Sequence, residues 1–289
     1  FFPTEDKIDL ANRLIGAGVR RLEATSFVSP KAVPQLADAE DLIAGIDRSG
    51  GLILEALVPN ARGGERASKA GLDVWVAFLS VSESHSMANS NCSVADAFER
   101  IKPLPALAAE TGATVSGALA VAFDCPFSGQ TPVDDVVALA DSFLGIGVSC
   151  LKLGDTIGTA SPTRVKTLVG AIKREVPDME IVLHFHNTRG LGLANVLAGL
   201  EAGITRFESS LGGVGGCPFA PGATGNISTE DLVHLLHLEG VETGIDLDAL
   251  IKAGQRLSEV LSRDLPAHLQ RAAPVGVLHD FGSTRRAVG

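Results

Sequence analysis

The chain has no tyrosine, a single tryptophan and only two methionines in 289 residues, and twelve phenylalanines make up the rest of its aromatic content. That scarcity disfavours a docking surface built on tyrosine and tryptophan anchors. Basic residues are also in deficit. With 24 Lys+Arg against 34 Asp+Glu, the net charge is −10. A general nucleic-acid binder needs an excess of phosphate-facing Lys and Arg, so nucleic acid is set aside as a partner, although a local basic pocket for a small anion is not. No uncharged apolar run reaches the ~18 residues of a membrane span, so no membrane partner is expected. The four cysteines, Cys92, Cys125, Cys150 and Cys217, lie far apart with no C-x-x-C pair. In a chain of this size they read as reduced thiols of a cytoplasmic protein. The acidic start (Thr4-Glu5-Asp6) is unlike the basic start of a signal peptide.

What is present is alternation. The composition, 45% hydrophobic and 20% charged, is that of a globular chain long enough for one α/β barrel or two ordinary domains. Short β-branched or apolar runs predict strands over 19–27, 52–58, 73–81, 113–123, 148–153, 179–186 and 204–210. Amphipathic runs predict helices over 4–15, 34–46, 62–69, 94–110, 133–144, 163–175, 191–201, 229–238 and 247–261. A βα unit every ~30–40 residues means right-handed crossovers and a parallel sheet. No dinucleotide fingerprint follows an early strand, and polar residues gather after nearly every strand. That pattern favours a closed (β/α)8 TIM barrel over an open doubly wound sheet. The count is seven strands, and the first element is a helix, so the barrel's first strand is expected to be missing from this sequence. The expectation is one domain over 1–289, with the barrel to about 240 and C-terminal helices and a tail over 241–289.

Four stretches could carry chemistry. In His184-Phe185-His186-Asn187, period-two alternation puts both imidazoles on one face at a strand end. They are either one ion's ligands or two hydrogen-bonded interior histidines, and the strand-end position favours the metal. The glycine-rich run 212–226 follows the last strand and presents Cys217 between Gly216 and Pro218, which restricts it to one place. Asn226, at the end of that run, is either a helix-entry residue or an amide ligand. In Gly154-Asp155-Thr156-Ile157-Gly158, Asp155 is a loop cap or a carboxylate aimed at the barrel mouth. Glu23, amid apolar strand residues, needs a cationic partner. Lys152, at odd offset from Asp155, is expected on the opposite face, with no role assigned.

With these motifs in view, the chain resembles the family of 3-hydroxy-3-methylglutaryl-CoA lyase, among the metal-dependent (β/α)8 acyl-CoA lyases and carboxyltransferases. The likeness runs from about Phe2 to about Leu261. It rests on LEATSFVSP (22–30), Asn91-Cys92-Ser93, GDTIG (154–158), HFHNTRG (184–190) and GGCPFAPGATGN (215–226), the last being the most specific. The resemblance implies that His184, His186 and Asn226 ligate Mg2+ or Mn2+. It implies that Cys217 is a catalytic cysteine on a mobile loop, that Glu23 and Asp155 are mouth carboxylates, and that Glu230 supports the metal site. The implied reaction is retro-Claisen cleavage of an acyl-CoA thioester, most simply 3-hydroxy-3-methylglutaryl-CoA to acetyl-CoA and acetoacetate, by a homo-oligomer, with a dimer favoured. The alternative is a Claisen-condensing synthase or a pyruvate carboxyltransferase-like enzyme on the same fold. Lys31, Arg62 and Arg189 are candidates for the CoA phosphates. Asn187 and Arg189 stand where the family pattern has Asp and Tyr, and 211–214 also departs from that pattern, which points to a longer or differently substituted acyl group.

Overall fold

The computed structural model describes residues 3–216, 225–272 and 275–276. Its strands are β1 (Arg21–Ser26), β2 (Ile53–Leu57), β3 (Val74–Ser80), β4 (Thr114–Ala120), β5 (Asp124–Cys125), β6 (Gly129–Gln130), β7 (Cys150–Asp155), β8 (Glu180–Phe185) and β9 (Phe207–Glu208). Seven of them form one parallel sheet in the order β1-β2-β3-β4-β7-β8-β9, and these are the seven runs expected from the sequence. The remaining two, β5 and β6, make a short antiparallel hairpin.

The sheet curls into a TIM-type α/β barrel. Glu23 of edge strand β1 and Glu208 of edge strand β9 both reach the ammonium of Lys152 on β7, so the two edges face each other across the bore. Helix α1 (Thr4–Gly16) precedes β1, and between β1 and β7 lie α2 (Ala39–Gly45), α3 (Ala61–Ala67), α4 (Glu83–Ser90), α5 (Val94–Ile101), α6 (Leu104–Ala109) and α7 (Val133–Gly145). They are followed by α8 (Pro162–Glu175), α9 (Gly192–Glu201), α10 (Thr229–Leu238) and α11 (Leu247–Leu261). The main core lies between sheet and helices, with Trp75, Phe143 and Phe185 fully enclosed. Packing there is close: a Cβ on Gly117 would lie 2.7 Å from a Leu151 methyl and 2.8 Å from the Phe143 ring. Helix α11 turns back onto α1, where Arg256 Nη2 donates to Asp6 Oδ1 at 2.8 Å, and a second core of Leu10, Leu211, Val233, Leu250 and Leu257 forms beneath it.

Several elements differ from the sequence reading. The helix expected over 34–46 is a 3-10 turn (Pro34–Leu36) followed by α2, which starts only at Ala39. The single helix expected over 94–110 is two, because Pro103 cannot continue the hydrogen-bond ladder from α5. The strand expected to run to 123 stops at Ala120, since Val121 takes φ 54°, a left-handed conformation costly for a β-branched residue. Two hydroxyls hold it there: Val121 N–H donates to Thr156 Oγ1 at 2.7 Å and its carbonyl accepts from Thr131 Oγ1 at 2.6 Å. Helix α4 had no amphipathic signal, and it is started by Ser82, whose hydroxyl accepts from His85 N–H. No described helix is long and apolar enough to cross a membrane.

Candidate active site

A cavity of about 380 Å³ opens at the C-terminal ends of the strands, where a barrel of this type carries its chemistry. One side is hydrocarbon, formed by Leu57 on β2, Val76 and Phe78 on β3, and Ala118, Leu119 and Ala120 on β4. The other side is polar, with Lys152 and Gly154 on β7, His184 and His186 on and after β8, Glu208 on β9 and Glu23 on β1.

The two histidines sit as alternation predicts, with ring centroids 5.3 Å apart. Asn226 meets them because the segment after the glycine-rich run lies back along β8: His186 and Asn226 form an antiparallel bridge, and Ile227 N–H donates to the Phe185 carbonyl at 3.0 Å. The Asn226 amide NH2 donates to the Val214 carbonyl at 2.8 Å, which fixes the side-chain orientation. Its Oδ1 is buried with no hydrogen-bond partner, as is His186 Nδ1. A buried acceptor left unmatched by protein costs about 1–3 kcal/mol. Orphaned N and O atoms on neighbouring residues, together with His184, are the donor set a hard or borderline divalent ion takes. The three residues expected as ligands therefore fit such an ion.

Charges around them are strongly perturbed. Burial, aided by neighbouring His184, pushes His186 down to about 4, which keeps it neutral at ordinary pH. For His184 burial acts in the same direction, but the Glu208 carboxylate outweighs it and raises the pKa; Oε2 lies 3.0 Å from Nδ1, so the imidazole donates there. Glu208 is itself depressed despite burial, by Lys152 and His184, whereas Glu23 is raised, chiefly by burial.

Lys152 lies opposite Asp155, as its offset predicts, but its partners were not foreseen. It is the one buried lysine among the described residues, and its Nζ lies 2.7 Å from Glu23 Oε2, 2.7 Å from Glu55 Oε2 and 2.5 Å from Glu208 Oε1. Arg21 closes the far end of the chain of charges on Glu55 Oε1. The oxygens of Glu23, Glu55 and Glu208 lie within 4.8 Å of one another, close enough for a metal, but the ammonium already stands among them. His85 of α4 also lines the cavity, with Nδ1 2.8 Å from Ser80 Oγ.

Two expected carboxylates lie elsewhere. Since Lys152 and Gly154 face the bore, the next residue, Asp155, faces away. It is buried, and its oxygens accept from Thr159 N–H at 2.8 Å and Ala160 N–H at 3.2 Å, so it is the loop cap of the two readings. Burial pushes it up to about 6. Glu230, fully buried, accepts from Gly212 N–H at 2.9 Å and from Gln270 Nε2 at 3.1 Å. It thus grips the entrance to the glycine-rich run and does not touch the cavity. Cys217 lies outside the described residues. The departures at Asn187 and Arg189 are local in effect. Asn187 Oδ1 accepts from Gly192 N–H at 3.1 Å at the start of α9, and Arg189 Nη1 donates to the Ile157 carbonyl at 2.6 Å, so neither charge change reaches the bore.

The HMGL-like family profile matches residues 1–257. The chain belongs to the HMGL-like family. Among its HMGL-like relatives, hydroxymethylglutaryl-CoA lyase YngG of Bacillus subtilis is 41% identical over 264 residues, 91% of this chain and 88% of that protein. The (R)-citramalyl-CoA lyase of Chloroflexus aurantiacus is also 41% identical, over 93% of this chain and 88% of its own length. In three dimensions, an HMG-CoA lyase from Acinetobacter baumannii in complex with coenzyme A and 3-methylmalate matches with a TM-score of 0.92 and 42% identity, covering 97% of this chain and 92% of that one.

Proposed function

We propose that the protein is a divalent-metal-dependent carbon–carbon lyase that cleaves 3-hydroxy-3-alkylglutaryl-CoA thioesters, 3-hydroxy-3-methylglutaryl-CoA foremost, to acetyl-CoA and a 3-oxo acid (acetoacetate for the methyl substrate). The observation that carries this reading is the convergence of His184, His186 and the unmatched Asn226 carbonyl at the mouth of a barrel whose relatives are acyl-CoA lyases.

His184, His186 and Asn226 would hold the ion, Mg2+ or Mn2+. When bound, it supplies Lewis acidity that lowers the pKa of the tertiary hydroxyl. Glu23, which lines the cavity and has a raised pKa, takes the hydroxyl proton. As the C3–O bond becomes a carbonyl, the C2–C3 bond breaks and its electron pair passes to the thioester enolate. Cys217, the acid that the family resemblance implies, then delivers a proton to C2 of that enolate. The hydrocarbon wall formed by Leu57, Val76, Phe78 and Ala118 takes the C3 substituent. Exposed Lys31 and Arg62, after β1 and β2, are the candidates for the CoA phosphates. No observation favours the condensing-synthase alternative.

The test is direct. With Mg2+ or Mn2+ and 3-hydroxy-3-methylglutaryl-CoA, the full-length protein is expected to release acetyl-CoA and acetoacetate in equal amounts. Failure to cleave this substrate and its longer 3-alkyl analogues overturns the reading.

A further inference from the structure

The proposed reaction leaves Lys152 without a role, although its position is among the most constrained in the molecule. Its ammonium has three N–H donors, and three carboxylate oxygens stand at 2.7, 2.7 and 2.5 Å to receive them. The acceptors arrive from three other strands, Glu23 on β1, Glu55 on β2 and Glu208 on β9. Glu208 divides its two oxygens: Oε1 goes to Lys152, and Oε2 accepts from His184 Nδ1 at 3.0 Å. An imidazole held through Nδ1–H presents Nε2, and a carboxylate behind a ligating histidine fixes its tautomer and ring orientation. Without the ammonium, three carboxylates within 4.8 Å would repel one another, and Glu208 would no longer be fixed in line with His184.

We propose that Lys152 is a positioning residue for the metal centre, acting through Glu208 to hold His184 in its ligating orientation. The inference rests on the metal reading above, and it assigns Lys152 no contact with substrate.

The experiment measures Mn2+ binding to the metal-free, full-length protein by calorimetry, without substrate. Lys152→Met is expected to weaken Mn2+ by about 10–100-fold, the usual cost of losing a residue that orients a ligand. Glu208→Gln should do the same, and the double variant should be no weaker than Glu208→Gln alone, because both changes break one chain of contacts. The 15N signals of His184 give a second readout: the Nδ1–H form dominates in the metal-free wild type and loses its dominance in Lys152→Met. If Lys152→Met does not fold, Lys152→Met/Glu55→Gln removes one charge of each sign and is expected to show the same weakening. A folded Lys152 variant that binds Mn2+ within twofold of wild type overturns the inference, as do fully additive losses in the cycle. Either result leaves lyase activity standing. Conversely, a wild type that binds Mn2+ with these dependences but cleaves no thioester overturns only the proposed reaction.

Discussion

Strands β2 to β4 and strands β7 to β9 line the same cavity with the same period-two alternation, yet they present opposite chemistries to it. The first group offers Leu57, Val76, Phe78 and Ala118; the second offers Lys152, His184 and Glu208, with Glu23 of β1 beside them. The hydrocarbon half needs only volume and contact, so its side chains tolerate change within the limits of packing. The charged half is interdependent. Each carboxylate there is paired with a cation or an imidazole, and removing one member leaves the others without their partner. A lyase of the proposed type needs both halves: one to ionise a hydroxyl and stabilise an enolate, the other to receive the carbon substituent.

The comparison can be broken most severely on the charged side. His186→Ala should abolish metal-dependent turnover, checked by acetyl-CoA release alongside bound Mn2+. Stoichiometric tight Mn2+ in that variant would remove His186 from the ligand set. Cys217→Ala should lower kcat by about 10²-fold or more, the usual worth of a proton donor. An unchanged kcat would take Cys217 out of the proton transfer.

On the hydrocarbon side effects should be smaller and selective. Phe78→Ala should shift the ratio of kcat/KM for a longer 3-alkyl substrate over the methyl one by about 10-fold, the scale of a few methylenes in an apolar pocket. An equal loss on both substrates would mean that this wall does not receive the substituent.

The smallest effect is a titration at the rim above the hydrocarbon half. Burial opposes ionisation of Cys125, but the hydroxyls of Ser128, Ser82 and Ser84 and the Phe127 N–H prevail and bring its pKa down to about 7. The thiol should therefore be neutral below pH 7 and a thiolate above it. The thiolate absorbance near 240 nm lost in Cys125→Ser should titrate with a midpoint about 7; a midpoint at the ordinary thiol value of ~8.5 would show that hydrogen bonds alone do not hold that charge.

The sequence revealed the seven strands because each is a β-branched or apolar run, and five of them follow a helix that ends in glycine (Gly18, Gly71, Gly112, Gly147 and Gly203). Gly18 and Gly203, for example, take φ 104° and 76° at their joints. His184 and His186 were legible for the same reason, since alternation alone places them on one face. For Asp155 the sequence left loop cap and mouth carboxylate both open, and the resemblance implied the mouth; the register, with Lys152 and Gly154 inward and Asp155 outward, gives the loop cap. Lys152, Glu55 and Glu208 had a signal of their own. Lys152 and Glu55 are each a charge within a short apolar run, Glu208 follows Phe207 in a run expected as a strand, and charges of opposite sign on inward faces must find one another. What no local pattern encodes is which strands the curl brings together. Glu230 was missed as a clamp because its partners, Gly212 and Gln270, are brought to it by the packing of α10 and α11.

Lys152 and Glu23 are separated by 129 positions, and Lys152 and Glu55 by 97. Contacts of that span form only after the intervening chain has organised, because the entropy of closing so long a loop must be met before the contact stabilises anything. Until β1, β2, β7 and β9 are all in place, the ammonium and its carboxylates stay in water and the histidine beside them has no fixed orientation. On the metal reading proposed above, a chain in which these strands have not yet met would lack a fixed His184, so metal uptake would report that β1, β2, β7 and β9 have come together.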